Sequence, residues 1–123
     1  MRYGSLKWTE GRRKGFITSH IRSAFRRWPP KYEVLAAAKV GKKPNPATGR
    51  IAEHYKCEGC KKHYPAKDVQ VDHIEPVVDP VRGFINWDTF IERLLCGVEN
   101  LQVLCKGCHL EKTKQERSQR KKK

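Results

Sequence analysis

Acidic residues and long apolar runs are both scarce in this chain of 123 residues. Asp and Glu number 13 against 27 Lys and Arg, so the formal net charge is +14. No apolar run approaches the ~18 residues that a bilayer span needs, and no signal-peptide pattern opens the chain. A membrane partner is therefore not expected, and a cytoplasmic location is. Hydrophobic residues make up 37% and charged residues 33%, which is lean for a core of this size. A structural metal would supply cross-linking that burial does not. The length fits one domain with an appended arm. The cysteines number five, and four of them fall in two C-x-x-C pairs, a pattern of reduced metal ligands rather than disulfides. Cys96 follows Leu94 and Leu95 and reads as a buried free thiol.

The charge is unevenly spread. Residues 1–50 carry 13 basic against 2 acidic side chains, a net +11; residues 51–104 carry 6 against 9, a net −3; residues 105–123 carry 8 against 2, a net +6. Basic ends suit a phosphate backbone, and the carboxylate-rich middle suits a divalent cation. A nucleic acid is the expected partner.

One stretch organises the chain. Cys57-Glu58-Gly59-Cys60 opens it and Cys105-Lys106-Gly107-Cys108 closes it, followed at once by His109. Four thiolates so arranged read as a tetrahedral zinc site that staples distant segments. A Gly before the second Cys of each pair suits a tight turn that aims backbone N–H groups at sulfur. Between the pairs lie Asp72, His73 and Asn100. Phosphodiester hydrolysis needs a base for water, a hard cation at the phosphate and a group that holds the base in place. An unperturbed imidazole titrates near neutrality, so His73 suits the base. Asp72 offers a carboxylate to a divalent metal, and His109 a ring nitrogen to the same metal. Asn100 can hydrogen-bond backbone and orient the loop carrying His73. Strand alternation would send Asp72 and His73 to opposite faces, so a shared site requires the strand to bend or end between them.

The expected elements follow from periodicity and punctuation. Residues 1–18 read as a basic, extended arm. Ser19 caps a helix to about Trp28 with Ile21, Phe25 and Trp28 in one stripe, and Pro29-Pro30 ends it. A second helix runs from Lys31 to about Val40, closed by Gly41, and Gly41–Gly49 reads as a linker. Strands are expected over Arg50–Lys56, Asp68–Ile74 and Asn100–Leu104. Asn86 caps a helix with the core stripe Trp87, Phe90, Ile91, Leu94 and Leu95, ending at Gly97. A last helix starts at Lys106 and frays from Lys112. His54 and His63 flank the first knuckle and are read as structural or exposed.

The ordered set Cys-x-x-Cys, Val71-Asp72-His73-Ile74-x-Pro76, then Asn100-Leu101-Gln102-Val103-Leu104-Cys105-x-x-Cys108-His109 resembles the zinc-stapled HNH endonucleases. The resemblance spans roughly residues 55–114. It implies an α+β fold with a ββα-metal core, to which the N-terminal helices and the inserted amphipathic helix are additions. It implies His73 as general base, Asn100 as orienting residue, Asp72 and His109 as ligands of a catalytic divalent metal (Mg²⁺ or Mn²⁺), and Cys57, Cys60, Cys105 and Cys108 as ligands of structural zinc. The N-terminal half and the insertion are also similar to small HNH proteins of bacteriophages, often encoded near packaging genes. That likeness implies work on phage DNA in the host cytoplasm, with phage packaging proteins as further partners. The expected organisation is 1–50, a basic arm and helical pair on the DNA backbone; 51–118, the nuclease domain; and 119–123, a basic tail. A monomer or weak dimer is expected. The rival expectation is a non-catalytic zinc-stapled DNA-binding module. An RNA-directed nuclease is disfavoured because no aromatic platform of the RRM type is present. Haem attachment at Cys105-x-x-Cys108-His109 is disfavoured by the upstream cysteine pair.

Overall fold

Thr9 starts the first helix. Its hydroxyl accepts a hydrogen bond from Arg12 N at 3.1 Å, and Glu10 meets the positive end of the helix dipole. This helix, α1 (Glu10–Ala24), occupies much of the expected arm. Gly11 and Gly15 each cost about 1 kcal/mol of helix propensity, yet Ile21 and Phe25 anchor the far end in the core. Ser19 is interior to the helix, and its carbonyl accepts from Ser23 Oγ. The computed structural model describes residues 7–121, so residues 1–6 of the arm and 122–123 of the tail lie outside the described residues.

After a short 3-10 turn, α2 (Pro29–Ala37) opens with both prolines in its first turn, where their missing N–H groups are not needed. It ends earlier than its alanines suggest, because the chain enters β1 (Lys39–Pro44). The expected linker is therefore half of a hairpin. β1 pairs antiparallel with β2 (Ile51–Lys56), with a bulge between Lys39 and Gly41, and Gly41 takes φ 114° there. Asn45 organises the connecting turn: its N–H donates to Arg50 O at 2.7 Å and its Oδ1 accepts from Ala47 N at 2.8 Å. β2 pairs in turn with β3 (His63–Pro65), closing a three-stranded sheet. His54 is buried in it and donates Nδ1–H to Ala52 O at 2.9 Å.

The second sheet is the antiparallel pair β4 (Val69–His73) and β5 (Leu101–Cys105), in the register Val71↔Val103 and His73↔Leu101. Between these strands the chain makes a loop and α3 (Trp87–Leu94), capped by Asn86, whose Oδ1 accepts from Thr89 N at 2.7 Å. Phe90 and Leu94 are buried with Val77, and Ile21, Phe25, Phe84 and Trp87 pack against them. Helix α3 stops at Leu94, short of Gly97. The last helix, α4 (Lys106–Lys121), follows β5 without a linker. It does not fray at Lys112, because the Lys112–Glu116 ion pair at 2.8 Å and the Lys112–Asp72 pair at 3.0 Å tie its middle to itself and to β4. The fold is thus mixed α+β with two small antiparallel sheets. No helix among the described residues is long and apolar enough to cross a membrane.

Candidate metal knuckle and active cleft

The first knuckle is the β2–β3 turn, and the second is the junction of β5 with α4. Glu58 N donates to Val103 O at 2.8 Å and docks one on the other. The four cysteine sulfurs lie within 4.8 Å of one another, and this cluster could hold a metal ion such as zinc. Zn–S bonds of about 2.3 Å place tetrahedral sulfurs about 3.8 Å apart; Cys60 Sγ is 4.0 Å from Cys105 Sγ. Backbone donors already face the sulfurs: Cys57 Sγ accepts from Gly59 N at 3.3 Å, Cys60 N at 3.5 Å and Cys105 N at 3.2 Å. The hydroxyl of Tyr64 draws the exposed Cys60 thiol down to about 6, helped by a Lys62 backbone hydrogen bond. Hydrogen bonding to Cys105 and Cys57 pushes Cys108 up to about 12. A dication among the sulfurs would favour thiolate at all four. The donor set fits.

Left-handed backbone falls on Lys61 (φ 63°), the residue after the knuckle, rather than on either knuckle glycine. Gly59 is needed for space. A Cβ there would stand 2.8 Å from Cys108 Sγ and 3.1 Å from its Cβ, whereas one at Gly107 meets only Cys105 Sγ at 4.0 Å. Gly59→Ala is therefore expected to lower stability by about 1–3 kcal/mol through overpacking. Gly107→Ala, within α4, is expected to be neutral or stabilising. Urea denaturation of the two variants measures the difference.

Asp72 is nearly buried, its side chain 12% exposed, and it faces α4. Its Oδ1 lies 3.6 Å from His109 Nε2; its Oδ2 lies 3.0 Å from Lys112 Nζ and accepts from Gln102 Nε2 at 3.3 Å. The spacing of Asp72 and His109 suits two ligands on one side of a small divalent cation. Among the described residues, however, the cysteines form the sole cluster of three or more such ligand groups. His73 points another way. Its ring lies against Phe25, centroids 4.6 Å apart, and its Nε2 is 2.8 Å from Leu94 O. A carbonyl only accepts, so Nε2 carries the proton and Nδ1 keeps its lone pair. Burial lowers the His73 pKa below its ordinary value, partly offset by the Leu94 carbonyl and the Asp72 charge. The strand pairs through both residues and ends at His73, so the two side chains diverge as alternation requires. They nevertheless reach one cleft of about 140 Å³, which lies at the strand end.

Asn100 fastens that end from the other strand. Its Oδ1 accepts from Glu75 N at 2.9 Å, and its carbonyl accepts from Ile74 N at 2.8 Å. The site thus brings Asp72, His73 and Asn100 to the end of β4 and sets His109 beside Asp72. His109 does not line the cleft itself.

Residues not singled out from sequence complete the cleft: Arg22 from α1, and Lys112, Glu116 and Arg120 from α4. Lys112 Nζ donates to His73 O at 2.8 Å as well as to Glu116. Burial pulls its pKa down, but the Glu116 and Asp72 carboxylates outweigh that and hold it above the ordinary lysine value. The spacing of His109, Lys112 and Glu116 along one helical face was a usable signal for these two. Arg22 offered none, since its place depends on how α1 crosses the insertion.

No protein-family model, curated protein or solved structure matches this chain. The reading of the site therefore rests on its own chemistry.

Proposed function

We propose that the chain is a metal-dependent DNA endonuclease of the HNH type, hydrolysing phosphodiester bonds in double-stranded DNA. The observation that carries this reading is the meeting of Asp72, beside His109, with His73 in a cleft rimmed by Arg22, Lys112 and Arg120. In this reading His73 Nδ1 takes a proton from water as its oxygen attacks phosphorus in line. The P–O bond to the 3′ oxygen breaks, and a 5′ phosphate is left on the other fragment. Arg22 and Arg120 bind phosphate oxygens through charge-assisted hydrogen bonds. Asn100 holds the backbone after His73, and Lys112 holds both the His73 carbonyl and the Asp72 carboxylate. A divalent cation, Mg²⁺ or Mn²⁺, would be held by Asp72 and His109 and would supply charge neutralisation at the scissile phosphate. The cysteines carry zinc, which sets Cys108 and hence His109 against β4. The basic N-terminal segment and the C-terminal end of α4 grip the backbone. One such site attacks one strand, so a monomer nicks. The likeness of the N-terminal half and the insertion to small phage HNH proteins supports a place in phage DNA processing.

The test is a supercoiled-plasmid assay across Mg²⁺ and Mn²⁺, with wild type beside Asp72→Asn. Nicking by the wild type, with at least a 10²-fold slower rate in the variant at equal zinc content and melting, supports the proposal. A plasmid that is bound but stays intact with every metal assigns the chain instead to a zinc-stapled binding module.

A further inference from the structure

One face of α1 is used by neither the core nor the cleft. Arg12, Phe16 and His20 follow at four-residue intervals along α1 and form a slanting row one turn apart, and Trp8, just ahead of the Thr9 cap, folds its ring against the first two. The groups touch in sequence: the Arg12 guanidinium lies 4.6 Å from the Trp8 ring centroid, Trp8 and Phe16 meet edge to face at 5.8 Å, and Phe16 and His20 lie 4.3 Å apart. All four are exposed, Trp8 by 42% and Phe16 by 54%. The helix spends Ile21 and Phe25 on the core, so the row is a surplus of aromatic area in a chain whose core is lean. It lies in the segment of net charge +11, which selects a polyanion over an apolar protein surface.

We propose that this row is a stacking surface for unpaired nucleobases. Intact duplex keeps its bases stacked on one another and offers such rings nothing. An unpaired base offers a free π-face, for which aromatic rings joined with arginine are the usual platform. The same helix lends Arg22 to the cleft. At 1.5 Å rise per residue, Phe16 lies about 9 Å and Arg12 about 15 Å from Arg22 along the axis. A strand leaving the cleft along α1 meets the rings within that reach. The choice of DNA as the ligand rests on the endonuclease reading, whereas the stacking face does not. The substrate class is then duplex DNA with an adjoining single-stranded segment, such as an overhang or gap.

The experiment titrates the zinc-loaded full chain, without added Mg²⁺ or Mn²⁺, with a blunt duplex and with the same duplex bearing a thymidine overhang. Tryptophan emission and anisotropy of a labelled strand are followed together. Expected are about 10-fold tighter binding of the overhang and quenching of emission on stacking. Trp8→Phe should keep the preference and lose most of the quenching, while the double variant Trp8→Ala/Phe16→Ala should lose the preference with unchanged melting. Equal affinity for both DNAs in the wild type, or a preference that survives the double variant, overturns the proposal. A protein that leaves plasmid intact yet prefers the overhang keeps the stacking face and loses the nuclease reading. One that cuts plasmid without the preference does the reverse.

Discussion

Replacing Cys57 by serine is expected to abolish cooperative melting of the protein. Cys57 is fully buried, and its sulfur is the acceptor for three backbone N–H groups drawn from both knuckles. Around it the cluster is small: Leu104 and Cys105 are buried with it, and Tyr64 and Cys108 pack alongside. Few apolar atoms remain to hold β3, β5 and α4 together once the sulfurs lose a common partner. Structural zinc sites contribute about 10–16 kcal/mol of apparent binding free energy, against a total domain stability of about 5–15 kcal/mol. A zinc ion held by the four sulfurs would therefore contribute more than the rest can supply. Prolonged chelation of the wild type should give the same unfolded signal by near-ultraviolet circular dichroism, and restored zinc should reverse it. Cys96→Ser is the control. Cys96 is half-buried beside Asn100 and outside the cluster, so that variant should keep its metal and melt within a few degrees of wild type. A Cys57→Ser protein that melts like wild type and retains one zinc by native mass spectrometry would show that the four cysteines do not staple the fold.

The parts legible in the sequence are those whose cause is local. Asn86 reads as a cap because a polar residue precedes an apolar stripe, and its Oδ1 does accept from Thr89 N. The knuckles read as a cluster because paired cysteines have little other use in a reduced chain, and the four sulfurs do converge. Strands with a clear alternation, such as β4 and β5, were legible although they pair across about 30 residues, but two elements whose composition argues against them were not. Lys39–Pro44 holds Gly, Pro and three lysines, a poor strand by composition. It becomes one because β2 supplies hydrogen-bond partners on one side, while lysines suit an edge strand open to water. The start of α1 was hidden by Gly11 and Gly15, whose cost is recovered by Ile21 and Phe25 at the far end of the helix. The site divides along the same line. Asp72, His73, Asn100 and His109 stand out as residue types with chemistry. The sharing of a carboxylate between His109 and Lys112, and the arrival of Arg22, follow from how helices lie across β4.

Removing His73 is expected to lower the nicking rate by about 10²–10⁴-fold, the usual contribution of a general base, while DNA affinity stays within a few-fold. Such a loss has a structural competitor. His73 Nε2–H is the donor to the carbonyl of Leu94, at the C-terminal end of α3, and its ring covers Phe25. Alanine removes both contacts and leaves a carbonyl without its donor, a cost of about 1–3 kcal/mol, so a slow His73→Ala enzyme could be a displaced α3. Two measurements separate the causes. His73→Gln carries an amide that can still donate to Leu94 but has no basic nitrogen; it should melt close to wild type and be as slow as alanine. Added imidazole should restore part of the rate to His73→Ala, whose cavity admits the free base, and leave the glutamine variant slow. If glutamine instead restores activity, the histidine serves only to position the insertion. Water activation would then have to come from another group lining the cleft, for which Glu116 is the nearest carboxylate to Lys112.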